Sequence, residues 1–168
     1  GGAHCPRTLV EHALRADLPI ALTYGLTEST SQAATAPPDL VRRKPGTVGP
    51  ALDGIEIRVD ERGEVMLRGS TVAAGYVGAV IALAPDGWLR TGDLGEIDRE
   101  GHLWITGRRS DRIVSGGVNV DPVEVEDVLR SHRAVTDAAV VGLPDERWGE
   151  VVAAAVVCGS GADPDPGE

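Results

Sequence analysis

The spacing of apolar positions changes several times along this chain, and each change marks an element. Over residues 7–16, Leu9, Val10, Ala13, Leu14 and Ala16 fall on one stripe at helical spacing, so an amphipathic helix is expected. The run Ile20-Ala21-Leu22-Thr23-Tyr24 is short and apolar, and reads as a buried strand. It leads into Gly25-Leu26-Thr27-Glu28-Ser29-Thr30-Ser31, a hydroxyl-rich stretch that reads as a turn. Between residues 36 and 54, Pro37, Pro38, Pro45, Gly46, Gly49, Pro50 and Gly54 argue for loop.

Two hairpins with nearly the same turn come next. Strands at 55–59 and 64–68 flank Asp60-Glu61-Arg62-Gly63, and strands at 94–97 and 102–106 flank Asp98-Arg99-Glu100-Gly101. Asp first and Gly last suit a type I turn followed by a left-handed bulge residue. Residues 46–106 therefore read as a small twisted antiparallel sheet, with Trp88 and Trp104 packed against its faces.

The pattern changes after Arg108. A charged connector, Arg109-Ser110-Asp111-Arg112, precedes Ile113-Val114-Ser115-Gly116-Gly117-Val118-Asn119-Val120, a hairpin bent at its glycines. Asp121-Pro122-Val123-Glu124 has the form of a capping box, and Val125, Val128 and Leu129 give the following helix a narrow apolar stripe. Strands are expected at 138–141 and 151–157, around Pro144-Asp145-Glu146-Arg147-Trp148-Gly149. This α–β alternation differs from the preceding hairpins. It predicts an α+β fold in two parts, residues 1–109 and 110–168, with no solenoid repeat.

Composition narrows the function classes. The 168 residues, 42 % apolar and 25 % charged, suffice for a packed core, in one domain or parts of two. Sixteen basic against 26 acidic residues give a net charge of −10, which argues against a nucleic-acid partner, since that needs a basic surface to displace counterions. No apolar run approaches the ~20 residues of a membrane span. Cys5 and Cys158 have no metal-type spacing and point to a reducing, cytoplasmic compartment. Lys44 is the sole lysine and phenylalanine is absent, so chemistry that needs an ammonium has one candidate. The chain opens on Gly1-Gly2-Ala3 without methionine. It closes on Asp163-Pro164-Asp165-Pro166-Gly167-Glu168, a helix-start signal with no helix behind it. Both ends read as truncations.

Taken singly, the polar candidates have plain explanations. Thr27 and Glu28 can satisfy backbone groups at a strand-to-turn junction, and Asp93 can make an Asx turn. Arg108 beside Arg109 reads as solvated charge, and Gly116-Gly117 as a turn. Together they offer more. Tyr24, Thr27 and Glu28 bring an aromatic face, a hydroxyl donor and a carboxylate into one short stretch. Asp93 adds a carboxylate able to chelate vicinal hydroxyls, and Arg108 a fork for phosphate or ribose oxygens. Such a set suits a nucleotide held with Mg²⁺, although spacing alone does not establish it.

In its ordered motifs the chain resembles the adenylate-forming superfamily of acyl-CoA synthetases and AMP-binding enzymes. The resemblance runs the whole length. Gly1-Gly2-Ala3 precedes the signature Tyr24-Gly25-Leu26-Thr27-Glu28-Ser29. Gly63-Glu64-Val65-Met66-Leu67-Arg68-Gly69 with Val72-Ala73-Ala74-Gly75-Tyr76 is similar to the next motif. Trp88-Leu89-Arg90-Thr91-Gly92-Asp93-Leu94 resembles the ribose-binding motif. The stretch from Gly107 to Gly117, with Val123-Glu124-Val125-Glu126, resembles the interdomain hinge and its helix.

The resemblance implies the C-terminal portion of a large AMP-binding domain, with a barrel-like antiparallel subdomain, followed by the start of a small mobile domain. It implies a two-step ligase. A carboxylic acid attacks the α-phosphate of ATP, releasing pyrophosphate, and a thiol, normally that of coenzyme A, then displaces AMP. By motif match, Tyr24 and Gly25 belong to the nucleotide site, with Tyr24 stacking on adenine. Thr27 would hydrogen-bond the α-phosphate, Glu28 ligate Mg²⁺, Asp93 hold the ribose, and Arg108 contact ribose or phosphate oxygens, so that Thr27, Glu28 and Arg108 form the catalytic set. Ser115, Gly116 and Gly117 would line the coenzyme A channel, and Ser110 would be the hinge.

The family's phosphate loop and catalytic lysine have no match here. Lys44, in Arg42-Arg43-Lys44-Pro45-Gly46, reads as solvated surface charge, so the chain is expected to be an incomplete fragment, inactive alone. Thr27-Glu28-Ser29-Thr30-Ser31-Gln32 is similar to the o-succinylbenzoate–CoA ligases of menaquinone synthesis, with Ser29 for their usual Thr and Val118 where relatives often carry Glu. Fatty-acyl or aryl-acid CoA ligases, carrier-protein-loading adenylation domains and a non-catalytic AMP-binding remnant are the alternatives. The partners implied are a small carboxylic acid, ATP and coenzyme A, with room for a homo-oligomer.

Overall fold

A computed structural model describes residues 5–77, 83–84 and 86–159. The Gly1-Gly2-Ala3 opening and the signal at 163–168 lie outside the described residues. The chain divides into two units, Gly1–Thr106 and Gly107–Glu168. The mixed fold with antiparallel sheets is the class expected from the sequence.

In the first unit, α1 (Arg7–Arg15) buries Val10 against Ala36, Leu40 and Val41, while Leu9 of its expected stripe is exposed. Strand β1 (Leu22–Leu26) pairs antiparallel with β2 (Ser31–Ala36) across a 3₁₀ turn at Thr27–Ser29. The strand thus starts two residues later than the apolar run suggests and also ends two later, where Gly25 and Leu26 pair with Gln32 and Ser31. A Cβ at Gly25 would run into the Ser31 carbonyl, so this register requires glycine there. After α2 (Pro38–Arg43), strands β3 (Ile55–Val59), β4 (Glu64–Gly69), β5 (Leu89–Ile97) and β6 (Leu103–Arg108) form an antiparallel sheet in sequence order.

Both Asp-x-x-Gly turns form as expected. Asp60 Oδ1 accepts the N–H groups of Arg62 and Glu64 at 2.9 Å, and Gly63 sits at φ +80°. Asp98 Oδ1 accepts those of Glu100 and His102 at 2.9 and 3.0 Å, with Gly101 at φ +84°. The core joins Ile55, Val65, Leu67, Leu89 and Leu103 of the sheet to Tyr24, Ala33 and Ala34 of the β1–β2 pair. Trp88 is buried with the Arg58 and Arg68 guanidiniums 4.3 and 4.7 Å from its ring. Trp104 is half-buried and donates its indole N–H to Asp98.

Lys44 is not solvated surface charge. Its Nζ lies 2.6 Å from Asp98, 2.8 Å from Glu100 and 3.2 Å from His102 Nδ1, fastening the α2 end to the β5–β6 turn. The loop from Lys44 therefore runs back over a turn that already presents two carboxylates.

The second unit holds β7 (Ile113–Ser115), β8 (Val118–Val120), α3 (Pro122–Ser131), β9 (Val135–Asp145) and β10 (Gly149–Cys158), with strand order β8-β7-β10-β9. Strands β9 and β10 extend well beyond the expected segments and take Pro144 and Asp145 into the ladder. The capping box at 121–124 does not form. Asp121 occupies the N-cap position, but its carboxylate goes to Arg112, in a two-pronged pair at 2.8 and 2.9 Å. The expected apolar stripe of α3 is also revised, because Val128 is exposed. The helix also engages edge strand β9 through polar side chains. Glu126 accepts the Val140 N–H, and Arg130 donates to the Ala138 carbonyl and to Asp137. These bonds satisfy an edge that would otherwise invite pairing with another strand.

Candidate nucleotide site

The candidate residues of the first unit lie on two supports, the β1 end and the start of β5. Tyr24 and Asp93 come together: the phenol donates to Asp93 Oδ2 at 2.7 Å, across 69 residues of sequence, and each residue is 8 % exposed. The ring belongs to the core, so the hydroxyl is held from the apolar side.

Backbone and side chains also fix the approach to Asp93. The Thr91 hydroxyl donates to the Val65 carbonyl at 2.7 Å and accepts the Asp93 N–H at 3.1 Å. Glu64, buried on β4, accepts the Gly92 N–H at 3.2 Å and pairs with Arg90 at 2.9 Å. Gly92 adopts φ +75°, which favours glycine and turns the strand so that Asp93 faces inward. The Thr-Gly-Asp triplet is thus pinned at each of its residues.

Thr27 and Glu28 sit on the 3₁₀ turn after β1, with Thr27 exposed and Glu28 half-buried. Ser29 is buried inside the turn. Its Oγ accepts the Leu26 N–H and lies within reach of the Leu26 and Ser31 carbonyls. Thr30 closes the turn at φ +67°, its hydroxyl bonded to the Thr71 carbonyl. The Glu28 backbone carbonyl accepts the Ala73 N–H, and its side chain accepts the Tyr76 hydroxyl. Segment 71–76 therefore lies against the turn and brings Tyr76 to Glu28.

In the second unit, Arg108 ends β6, and its carbonyl accepts the Asp111 N–H in a turn where Ser110 donates to Asp111. Gly116 and Gly117 form the two-residue loop between β7 and β8, at φ +57° and +83°, with Ser115 opposite Val118. Two consecutive positive φ values match the turn that suits right-twisted hairpins. Gly116 lies under the Trp148 ring: an added Cβ would come within 2.6 Å of it, whereas one at Gly117 would meet nothing within 4 Å. The Arg147 guanidinium stacks on the same ring at 4.7 Å.

Among the described residues, no group of three or more His, Cys, Asp or Glu side chains is placed to hold a metal ion by itself. The donor set around Glu28 fits a magnesium ion that arrives on phosphate oxygens, which takes one or two protein carboxylates. Glu64 and Tyr76 are the contributors that sequence reasoning passed over as individuals. Both lie within quoted motifs, and the signal for Tyr76 was its being one of two tyrosines in a chain without phenylalanine.

Comparisons with known proteins give the family of the chain. The family model described as AMP-binding enzyme matches residues 1–77, and that described as AMP-binding enzyme C-terminal domain matches residues 124–167. The chain is 39 % identical over 168 residues to a 2-succinylbenzoate–CoA ligase of Listeria monocytogenes, covering 98 % of this chain and 36 % of the relative. It is similar to the solved o-succinylbenzoate CoA synthetase of Bacillus subtilis in complex with its acyl-adenylate intermediate. That match has a TM-score of 0.86 and 38 % identity, over 97 % of this chain and 36 % of the other. The structure of the Bacillus subtilis enzyme in complex with ATP and magnesium gives a TM-score of 0.80 and 39 % identity, over 94 % and 35 %. The chain spans about a third of the length of the curated relatives it matches.

Proposed function

Because the chain belongs to the AMP-binding enzyme family, we propose that it supplies the nucleotide-holding and hinge segments of an ATP-dependent carboxylate–CoA ligase, with o-succinylbenzoate as the acid. The observation that carries this reading is the buried Tyr24–Asp93 pair beside the pinned Thr-Gly-Asp triplet. A carboxylate fixed in this way suits two vicinal hydroxyls, and the ribose of a nucleotide offers them. The likeness to o-succinylbenzoate enzymes supports the choice of acid.

The roles follow the chemistry of each group. Asp93 accepts from the ribose 2′- and 3′-hydroxyls. Thr27, exposed on its turn, donates to an α-phosphate oxygen, and Glu28 beside it takes the magnesium ion carried by the nucleotide. Bound there, the ion would supply positive charge against the phosphates. Arg108 offers a fork to ribose or phosphate oxygens. Ser110 lies in the short exposed turn just past the boundary of the two units, where a few dihedrals can absorb a rotation between the adenylating and thiol-acylating steps. Ser115, Gly116 and Gly117 make the narrow hairpin past which the thiol arm would pass. Half a catalytic apparatus stabilises little transition-state charge, since loss of one donor can cost on the order of 10²–10³ in rate. Without a phosphate loop or catalytic lysine, the chain alone is expected to bind nucleotide and not to adenylate acids.

Calorimetric titration of the 168-residue chain with AMP tests this. Saturable binding is expected, and Asp93→Ala is expected to weaken it by roughly tenfold or more, the worth of a hydrogen bond to a charged group. No binding by the unaltered chain, or an unchanged affinity in Asp93→Ala, would refute the reading.

A further inference from the structure

The turn that carries Thr27 and Glu28 does not hold its shape alone. Thr30, a β-branched residue, closes it at φ +67°, a backbone region costly for such a side chain. Segment 71–76 fastens the turn from outside. The Thr30 hydroxyl donates to the Thr71 carbonyl at 2.6 Å, and the Ala73 N–H donates to the Glu28 carbonyl at 2.8 Å. The same segment carries Tyr76, whose phenol donates to Glu28 Oε1. That ring is half exposed and belongs to neither core cluster, so burial of the ring does not account for its place.

We propose that Tyr76 is a positioning residue for the divalent cation: its phenol sets the Glu28 carboxylate through Oε1 and leaves Oε2 to take a magnesium ion that arrives on nucleotide phosphates. The proposal rests on the reading of Glu28 as the magnesium ligand.

The physical argument concerns order before binding. A glutamate side chain turns about three bonds, and its terminal torsion is broad. A carboxylate that settles onto a cation loses that freedom, which costs affinity unless the group is fixed beforehand. The bonds at the Thr30 hydroxyl and the Glu28 carbonyl hold the turn but do not reach the carboxyl group. The phenol does reach it, from a stiff ring on a segment that those same bonds secure. Its neutrality matters as well. An ammonium or guanidinium in that place would cancel the charge a cation needs, whereas a phenol orients the carboxylate and leaves the charge intact. Groups that orient a ligating carboxylate in this way carry roughly 10–100-fold of metal affinity. The half-exposed setting of Tyr76 points to the lower end of that range.

The test titrates ATP calorimetrically into the chain and into Tyr76→Phe, which keeps the ring and removes the hydroxyl, once with magnesium in excess and once with a chelator. The unaltered chain is expected to bind ATP more tightly with magnesium, and Glu28→Gln is expected to abolish that gain. Tyr76→Phe is expected to weaken ATP by about tenfold in magnesium and to leave it unchanged in chelator. With Glu28→Gln already present, adding Tyr76→Phe is expected to change nothing further, which completes a double-mutant cycle. An undiminished magnesium gain in Tyr76→Phe would overturn the proposal and leave the Glu28 reading standing. Equal weakening with and without magnesium, or an undiminished Tyr76→Phe effect in the Glu28→Gln background, would assign the loss to the shape of the turn and also overturn it. No magnesium gain in the unaltered chain, or a gain that survives Glu28→Gln, would remove the Glu28 reading and the proposal with it.

Discussion

Replacing Glu64 probes the support beneath Asp93. Glu64 is 3 % exposed, with one oxygen on the Gly92 N–H at 3.2 Å and the other on Arg90 at 2.9 Å. The Arg90 side chain is 47 % exposed, so water already screens the ion pair. Losing the ion pair should cost about 1 kcal/mol or less. Glu64→Gln retains a carbonyl oxygen within reach of Gly92 and should cost about that amount. Glu64→Ala also leaves the Gly92 N–H without this acceptor in a part-buried strand, a loss of about 1–3 kcal/mol. It removes a buried methylene as well, worth about 0.8 kcal/mol. The alanine variant should therefore lose about 4 kcal/mol, several times the glutamine variant. Urea denaturation followed by far-ultraviolet circular dichroism measures both. AMP titration of the folded variants should show the larger affinity loss in Glu64→Ala, since only it releases Gly92. Equal destabilisation by the two substitutions would refute the assignment of the Gly92 contact as the support.

The hairpin glycines and the Lys44 cluster give two further outcomes. Gly117→Ala forces a side chain into a left-handed backbone and should cost about 1–2 kcal/mol in chemical denaturation, whereas Gly116→Ala should cost clearly more because it also displaces Trp148. Equal losses, or an excess of the Gly116→Ala penalty over that of Gly117→Ala that survives Trp148→Ala, would contradict the ring's placement. The Asp98 carboxyl is held well below the usual carboxylate range, first by the Lys44 hydrogen bond and then by the N–H groups of His102, Trp104 and Glu100. The Asp98 contribution to stability is therefore present above the ordinary carboxylate pKa of about 3.9 and is lost as pH falls toward the lower folded value. Asp98 and Glu100 raise the pKa of Lys44 above 10.5, so its contribution is present below that value and is lost as pH rises through the folded pKa. Lys44→Met should flatten both limbs of the stability–pH profile; unchanged acid and alkaline limbs would exclude the cluster as their source.

What was legible in the sequence was local chemistry. The Asp60 and Asp98 turns, the Gly116-Gly117 hairpin and the start of α3 at Pro122 each follow from residues within a few positions of one another. Contacts made across the fold were not legible. Tyr24 reads as a strand aromatic and Asp93 as a turn residue until the sheet brings them together over 69 residues. Asp121 has the residue type of a side-chain cap, yet Arg112, just before β7, offers a charged fork and takes the carboxylate. Val128 fits a helical stripe but is exposed, and α3 also holds the edge strand through Glu126 and Arg130, contacts that no apolar period announces. Lys44 looked solvated because its partners lie more than fifty residues downstream, at 98–102. At the candidate site, the motifs named the carboxylates, while their orienting partners Tyr76 and Glu64 required coordinates.

The central claim is that nucleotide sits against the β1 turn and the Thr-Gly-Asp triplet. Mapping amide chemical shifts of the isotopically labelled chain during AMP titration tests it most directly. The account predicts saturable shifts concentrated at residues 23–30 and 91–94, with the same affinity at both segments and loss of both in Asp93→Ala. Shifts confined to β9 and β10, or none at saturating AMP, would contradict it.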